Sequence, residues 1–207
     1  MQKIFVALLL LSTLAITSCS EKKDGESVNI DARVKELVSK MTIEEKAGQM
    51  TQVTIDVLTV GKSPFESDEP LKLDTATLRL AFEKYQIGSV LNTANNRARN
   101  PELWNSLIGE IQAYALEKSR LKIPVIYGLD MIHGASYVEG ATLFPQQIGM
   151  AATWNPALIE RAGEITAYET RAIGCPWTFS PVLDLGMDPR WPRQWESFGE
   201  DPLLASE

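Results

Sequence analysis

Two kinds of apolar pattern alternate along this chain: single stripes at helical spacing and short runs that are apolar throughout. The stripes predict amphipathic helices, and the continuous runs have the length of buried strands. Helices are predicted over residues 31–41, 42–50, 74–85, 101–120 and 156–173. Strands are predicted over residues 87–92, 123–130 and 177–185. The stretch 61–70 contains Gly, Pro, Ser and acidic residues, which predicts a loop.

Three of the predicted helices have clear start signals. Thr42 and Glu45 have the spacing of a capping box, in which each side chain satisfies a backbone N–H of the other residue. Pro101 and Pro156 stand where two longer helices begin, a position at which proline loses no helical hydrogen bond. The helix from Pro101 has an apolar face made of Leu103, Leu107, Ile111 and Ala115.

Alternating strands and helices predict an α/β fold with parallel strands buried on both faces. In such folds the ligand binds at the carboxyl ends of the strands. Polar residues occupy these positions in the sequence: Asn92, Asp130, Asp184 and Asp188. The pattern alone is compatible with both a closed barrel and an open sheet.

Asp130 is the first candidate for ligand binding. It directly follows an apolar run, and a carboxylate at a strand end can accept hydrogen bonds from two sugar hydroxyl groups. The alternative is an Asp that caps the turn through backbone N–H groups.

Arg193 is the second candidate, because a guanidinium offers five rigid donors to ring oxygens. One of Arg190 and Arg193 is expected to pair with Glu196, Glu200 or Asp201, which leaves the other for ligand. The nearby tryptophans suit either stacking on a sugar face or packing in the core: Trp177, Trp191 and Trp195.

Charge and cysteine content exclude several classes of protein. The formal charge is −7 with no basic stripe, so nucleic acid is not an expected partner. After Cys19 only Cys175 remains, which excludes an intramolecular disulfide in the folded part and predicts a small buried side chain. His133, the single histidine, has too few partners for a zinc site. No Gly-rich phosphate loop follows a strand, which disfavours an open-sheet nucleotide-binding protein.

The first 18 residues predict a targeting segment. Lys3 precedes an apolar run over 4–11 that is too short to span a bilayer, and small residues lead into Cys19. This spacing resembles a bacterial lipoprotein signal cleaved before an acylated cysteine; a plain secretory signal is the alternative. We therefore expect a signal over 1–18, a flexible tether over 19–30 and a folded domain over 31–207. The protein is expected in the periplasm or as an outer-membrane lipoprotein, held to the membrane by its lipid.

Six motifs occur in order along the chain: IPVIYGLD with the following HG (123–134), TLFPQ (142–146), AATWN (151–155), FSPVLD (179–184), DPRW (188–191) and ESFGEDP (196–202). These segments resemble glycoside hydrolase family 3, the β-glucosidase and β-xylosidase group. The resemblance extends over roughly residues 34–207, and six motifs in order make it specific.

The resemblance implies a (β/α)8 barrel followed by an α/β sandwich domain, and a retaining mechanism through a covalent glycosyl-enzyme. It implies that Asp130 binds hydroxyl groups of the non-reducing terminal sugar and that Arg193, the second arginine of its motif, reaches the same subsite. Pro192 stands where the motif usually has glycine, so the path of this loop is expected to differ. The family needs no cofactor.

The family's Lys-His pair, nucleophilic Asp and acid/base Glu lie downstream of the matched segments, so no catalytic residue is assigned here. A complete barrel takes roughly 250 residues, against 207 in this chain. We therefore expect the N-terminal portion of a (β/α)8 barrel, incomplete in this chain. The expected function is a fragment of an exo-acting β-glucosidase-type hydrolase acting on oligosaccharides or β-glucosides, inactive alone. The alternative is a non-catalytic glycan-binding surface lipoprotein.

Overall fold

The structure is a computed structural model that describes residues 29–207. The predicted signal segment and Cys19 lie outside the described residues. The chain divides into two compact units with a boundary after Ser39. Helix α1, Ile30–Lys40, confirms the first predicted helix, although Val34 and Val38 of its apolar stripe are exposed.

Four parallel strands form the main sheet, which confirms the α/β class. Their order is β1 (Gln52–Thr54), β4 (Ser89–Leu91), β5 (Ile126–Leu129) and β6 (Trp177–Thr178). Val53, Val90 and Tyr127 lie side by side across the first three strands. Neighbouring strands follow one another along the chain with helices between them, as in one side of a barrel; a complete barrel has eight such strands.

The prediction of a loop over residues 61–70 is wrong, because this stretch contains a small antiparallel hairpin. Strands β2 (Gly61–Ser63) and β3 (Glu66–Ser67) pair with each other. The hairpin is stabilised by side-chain hydrogen bonds to distant residues, described below, and a local pattern does not reveal such bonds. Strand β1 was not predicted either, because three residues with one apolar side chain give no periodic signal.

The third predicted strand, 177–185, is much shorter than expected. The backbone N–H of Phe179 still donates to Leu129 O at 3.1 Å, but Pro181 has no N–H to continue the ladder. Beyond it a glutamine side chain takes the place of a neighbouring strand. The backbone of Val182 donates to Gln147 Oε1 and accepts from Gln147 Nε2, each at 3.0 Å.

The remaining predicted helices are present with small changes in their ends. They are α2 (Ile43–Gln49), α3 (Thr75–Leu78, continued by a π-helix over Arg79–Lys84), α4 (Pro101–Lys118) and α6 (Pro156–Ala172). Two short helices, α5 (Gln147–Ala151) and α7 (Pro202–Ser206), were not predicted. No helix within 29–207 is both long and apolar enough to cross a bilayer.

The capping box at the start of α2 is confirmed. Glu45 N donates to Thr42 Oγ1 at 3.2 Å, and Thr42 N donates to Glu45 Oε2 at 2.9 Å. Arg120 also donates to both carboxylate oxygens of Glu45, at 2.7 and 2.5 Å. These bonds lower the pKa of Glu45 from 4.5 to about 2, with the Arg120 guanidinium as the main cause.

Helix α4 packs on the sheet and contributes much of the core, which also includes Ile55, Leu58 and Phe82. Leu107, Ile111 and Ala115 of the predicted face are buried, and Trp104 packs its ring edge-on against Tyr127 with centroids 5.8 Å apart. Cys175 is fully buried and its thiol donates to Tyr127 O, which confirms its prediction as a small core side chain. The core thus fixes β5, the strand that Asp130 directly follows.

Candidate functional site

Two of the four polar residues predicted at strand ends, Asn92 and Asp130, directly follow strands of the sheet, whereas Asp184 and Asp188 lie in the longer segment after β6. Asn92 follows β4, Asp130 follows β5, and the segment after β6 contains Asp184 and the turn around Arg193. Because all four strands are parallel, their carboxyl ends meet at the same edge. A ligand is therefore expected to bind at this edge.

Asp130 is half-buried and its carboxylate has no hydrogen bond or ion pair with any residue of the described part of the chain. The alternative that it caps a turn is therefore wrong. Burial is the main cause that raises its pKa; the guanidinium of Arg193 lowers this pKa and the carboxylate of Glu196 raises it. Those two charges thus lie close enough to act on Asp130.

Arg193 is paired with Glu196. Its Nε and Nη2 lie 2.7 and 2.6 Å from Glu196 Oε2. This bond is the main cause that raises the pKa of Arg193, and the charges of Asp130 and Asp184 act in the same direction. The charges of three carboxylates therefore act on one guanidinium, which contacts only that of Glu196.

Arg190 also has a partner, so the expectation that one arginine stays free is wrong. Its Nη2 lies 2.5 Å from Asp188 Oδ2, and its backbone N donates to Asp188 Oδ1 at 2.9 Å. The side chain is 89% exposed. The turn at Pro189 brings residues 188 and 190 together, so Arg190 takes a local partner that the sequence prediction did not consider.

Tyr137 is a site residue that the sequence prediction missed. Burial raises the pKa of its phenol, and the charges of Asp130 and Glu196 add to this. Its backbone oxygen accepts from Trp104 Nε1 at 2.8 Å, which fixes the segment on the core. An aromatic hydroxyl seven residues after Asp130, in the same loop, was the available signal. We call Asp130, Tyr137, Asp184, Arg193 and Glu196 the rim cluster.

Among the aromatic and histidine candidates, Trp177 and His133 make structural contacts, whereas Trp195 is exposed. Trp177 packs edge-on against Phe179 with centroids 4.7 Å apart, which is a packing role. Trp195 is 49% exposed and next to Glu196, where it can stack on a ligand. His133 Nδ1 lies 3.0 Å from Phe144 O, and Phe144 N donates to His133 O. His133 therefore holds its loop.

A second polar cluster at this edge was also missed; its members Asp56, Ser67 and Arg99 are buried. Asp56 Oδ1 accepts from Ser67 Oγ at 2.7 Å and from Asn95 N at 3.1 Å. Asn95 Nδ2 and Arg99 Nη2 both donate to Glu69 Oε1, at 3.1 and 2.7 Å. We call these five residues the hairpin network, because they tie the β2–β3 hairpin to the segment after β4.

The chain was compared with known proteins. Residues 42–207 match the glycosyl hydrolase family 3 N terminal domain. The sequence is 44% identical over 183 residues to a lysosomal beta glucosidase of Dictyostelium discoideum, covering 85% of this chain and 21% of that protein. It is 31% identical over 176 residues to a periplasmic beta-glucosidase of Salmonella typhimurium, covering 85% and 19%. The chain thus spans about a fifth of these relatives.

Solved structures agree with the sequence match. An exo-1,3/1,4-beta-glucanase from a Pseudoalteromonas species superposes with a TM-score of 0.66 at 38% identity, over 84% of this chain and 20% of that one. A mutant beta-glucosidase from Listeria innocua in complex with laminaribiose gives a TM-score of 0.62 at 32% identity, over 84% and 22%. The (β/α) barrel-type fold predicted from the sequence is confirmed.

Proposed function

The chain belongs to glycoside hydrolase family 3, and from this membership we propose that it is part of an exo-acting, retaining β-glucosidase-type enzyme. Such an enzyme removes terminal non-reducing β-linked sugars from oligosaccharides. The observation that carries the proposal is a half-buried Asp130 without a protein partner among residues 29–207, beside the guanidinium of Arg193. A buried carboxylate left without a partner is costly, which is acceptable where a ligand supplies the missing hydrogen bonds.

Asp130 and Arg193 supply complementary hydrogen-bonding groups to one sugar. The carboxylate accepts hydrogen bonds from two hydroxyl groups, and the outer guanidinium N–H groups donate to hydroxyl oxygens. Both sets of bonds are charge-assisted and stronger than bonds between neutral groups. Trp195 can cover the apolar face of the ring. This combination orients a terminal sugar at the carboxyl edge of the sheet.

Retaining hydrolysis needs two further carboxyl groups. One attacks the anomeric carbon and forms a glycosyl-enzyme, and the other protonates the leaving oxygen and then activates water. We assign neither role to Asp130 or Asp184. We propose that both groups belong to the part of the relatives that this chain does not match. No cofactor is involved in this chemistry.

The division of roles predicts that the 207-residue chain binds sugar without hydrolysing it. We expect no release of nitrophenol from an aryl β-glucoside by the purified chain, because the attacking and protonating groups are missing. Measurable turnover above the buffer rate would contradict this assignment. Titration with glucose, xylose and N-acetylglucosamine, followed by tryptophan fluorescence, identifies the preferred sugar.

A non-catalytic glycan-binding surface lipoprotein is the second candidate. It is favoured by the half-buried Asp130, which has no protein partner among residues 29–207 and could bind a sugar without any catalytic group. Reading the gene beyond codon 207 distinguishes the two. A continuing frame that encodes a Lys-His motif and a later Asp-Trp supports the enzyme; a stop codon together with a sugar-binding chain supports the lipoprotein.

Export and lipid anchoring at Cys19 are part of the proposal. The sequence of residues 1–19 supports them, and one relative is named a periplasmic enzyme. Expression with an alkyne-labelled fatty acid should label the native chain in the membrane fraction. Cys19→Ser should abolish the label; label that persists in this variant excludes Cys19 as the acceptor.

A further inference from the structure

The Arg193–Glu196 pair is asymmetric. Arg193 contacts one carboxylate oxygen through both Nε and Nη2. The side chain of Glu196 is 13% exposed, whereas that of Arg193 is 57% exposed. The carboxylate is therefore the fixed partner, and the guanidinium is the group whose position it determines.

Arg193 and Asp130 carry opposite charges, and the guanidinium lowers the pKa of Asp130, yet the two side chains are not paired. Within residues 29–207 no ion pair of 4.0 Å or less involves Asp130. A guanidinium whose donors form a fork binds a nearby carboxylate readily when nothing else holds it. The separation of Arg193 from Asp130 therefore needs a cause, and the pair with Glu196 supplies one.

We propose that Glu196 is a positioning residue that holds Arg193 off Asp130, so that one sugar ring can place its hydroxyl groups between the two side chains. This rests on the proposed sugar site. Without Glu196, Arg193 closes on Asp130 and the two binding groups satisfy each other. The sugar then has to break an ion pair before it can bind.

The other members of the rim cluster do not replace Glu196. Asp184 acts on Arg193 through its charge, but it is exposed and forms no ion pair with any described residue. Tyr137 carries a phenol, which is uncharged at pH 7 even with an ordinary pKa. Burial and the charges of Asp130 and Glu196 raise its pKa further. Neither group can therefore hold the guanidinium in place.

The pair can be tested through the pKa of Asp130, measured from the ¹³C shift of its carboxyl carbon in the 207-residue chain. The pKa of Asp130 is compared in a double-mutant cycle of four proteins: the native chain, Glu196→Gln, Arg193→Gln and the double variant. Removing the Glu196 charge lowers this pKa in any case. If the side chains stay in place, the lowering is the same with and without Arg193, because fixed charges act additively.

If Glu196 positions Arg193, the lowering is larger when Arg193 is present. The freed guanidinium then pairs with Asp130 and stabilises its ionised form. Equal lowering in both backgrounds overturns the proposal. Glu196→Asp, which keeps the charge but has a shorter reach, should give an intermediate result. Asp188→Asn breaks the exposed Arg190 pair of the same kind and should leave the pKa of Asp130 unchanged.

Glucose titration separates this proposal from the sugar site itself. Glu196→Gln should weaken glucose binding about tenfold, although Asp130 and Arg193 are both present. Native-like affinity in Glu196→Gln contradicts the positioning role. A native chain that binds no glucose contradicts the proposed sugar site, and the pKa cycle then decides the role of Glu196 alone.

Discussion

The hairpin network and the rim cluster lie at the same edge of the sheet and both contain Asp, Glu and Arg, but they differ in how the hydrogen-bonding groups of their aspartates are satisfied. In the hairpin network Asp56 is 8% exposed and accepts hydrogen bonds from two separate segments. In the rim cluster Asp130 is half-buried and has no partner among residues 29–207. A carboxylate with all its partners in the protein stabilises the fold, whereas one without them is available to a ligand.

The largest loss of stability is expected from a substitution in the hairpin network. In Asp56→Ala the backbone N–H of Asn95 and the hydroxyl of Ser67 both lose the carboxylate that accepts their hydrogen bonds. We expect the free energy of unfolding to fall by about 3 kcal/mol, measured by urea denaturation. Asp68→Ala, an exposed acid in the same hairpin, is the control and should have little effect. Similar losses in both variants would remove the basis of the comparison.

A smaller, pH-dependent effect is expected at Glu45. Its pKa in the folded protein is lowered from 4.5 to about 2, so the ionised form stabilises the fold above pH 4.5 and this contribution is lost as pH falls from about 4.5 to about 2. Glu45→Gln should cost about 2 kcal/mol at pH 7 and flatten the stability curve in this window. Glu160→Gln, an exposed carboxylate on α6, should leave the curve unchanged. A curve for Glu45→Gln that matches the native one would show that the pair with Arg120 is not stabilising.

The smallest effect on stability is expected in the rim cluster. Burial raises the pKa of Asp130, so its ionised form is disfavoured in the folded protein and the folded state loses stability as pH rises through this pKa. Asp130→Asn should therefore leave the urea midpoint at pH 7 unchanged or slightly higher. A clear drop in the midpoint would mean that Asp130 has a structural partner, and the distinction between the two clusters would fail.

Pro192→Gly tests whether the loop around Pro192 contributes to the stability of the fold. Proline restricts the unfolded chain, so its replacement should lower the free energy of unfolding by no more than about 1 kcal/mol. Calorimetric melting measures this change, with Pro189→Gly in the same loop for comparison. A loss of several kcal/mol would place this loop among the structural parts of the edge.

Local signals in the sequence predicted the parts of the fold that local physics determines. The capping box at Thr42 and the apolar face of α4 depend on spacing of three to four residues, and both are present. In the hairpin network the bonds made by Asn95 and Arg99 join residues more than 25 positions apart, and no spacing reveals Asp56 or Asn95 as partners. The strand-end rule correctly placed Asp130 at the carboxyl edge. The sequence offered Glu196 as one of three possible partners of an arginine, but it could not show which arginine pairs with it or that Tyr137 comes under the charge of the same acid, because both depend on how the loops fold back.

The most direct test of the sugar site is a glucose titration of the native chain and of Asp130→Asn, followed by tryptophan fluorescence at pH 7. Asparagine keeps the size of the side chain but replaces one acceptor oxygen by a donor and removes the charge. We predict saturable binding by the native chain and at least about tenfold weaker binding by the variant, with both proteins equally stable. Equal affinity in the two proteins would contradict the assignment of Asp130 to sugar binding.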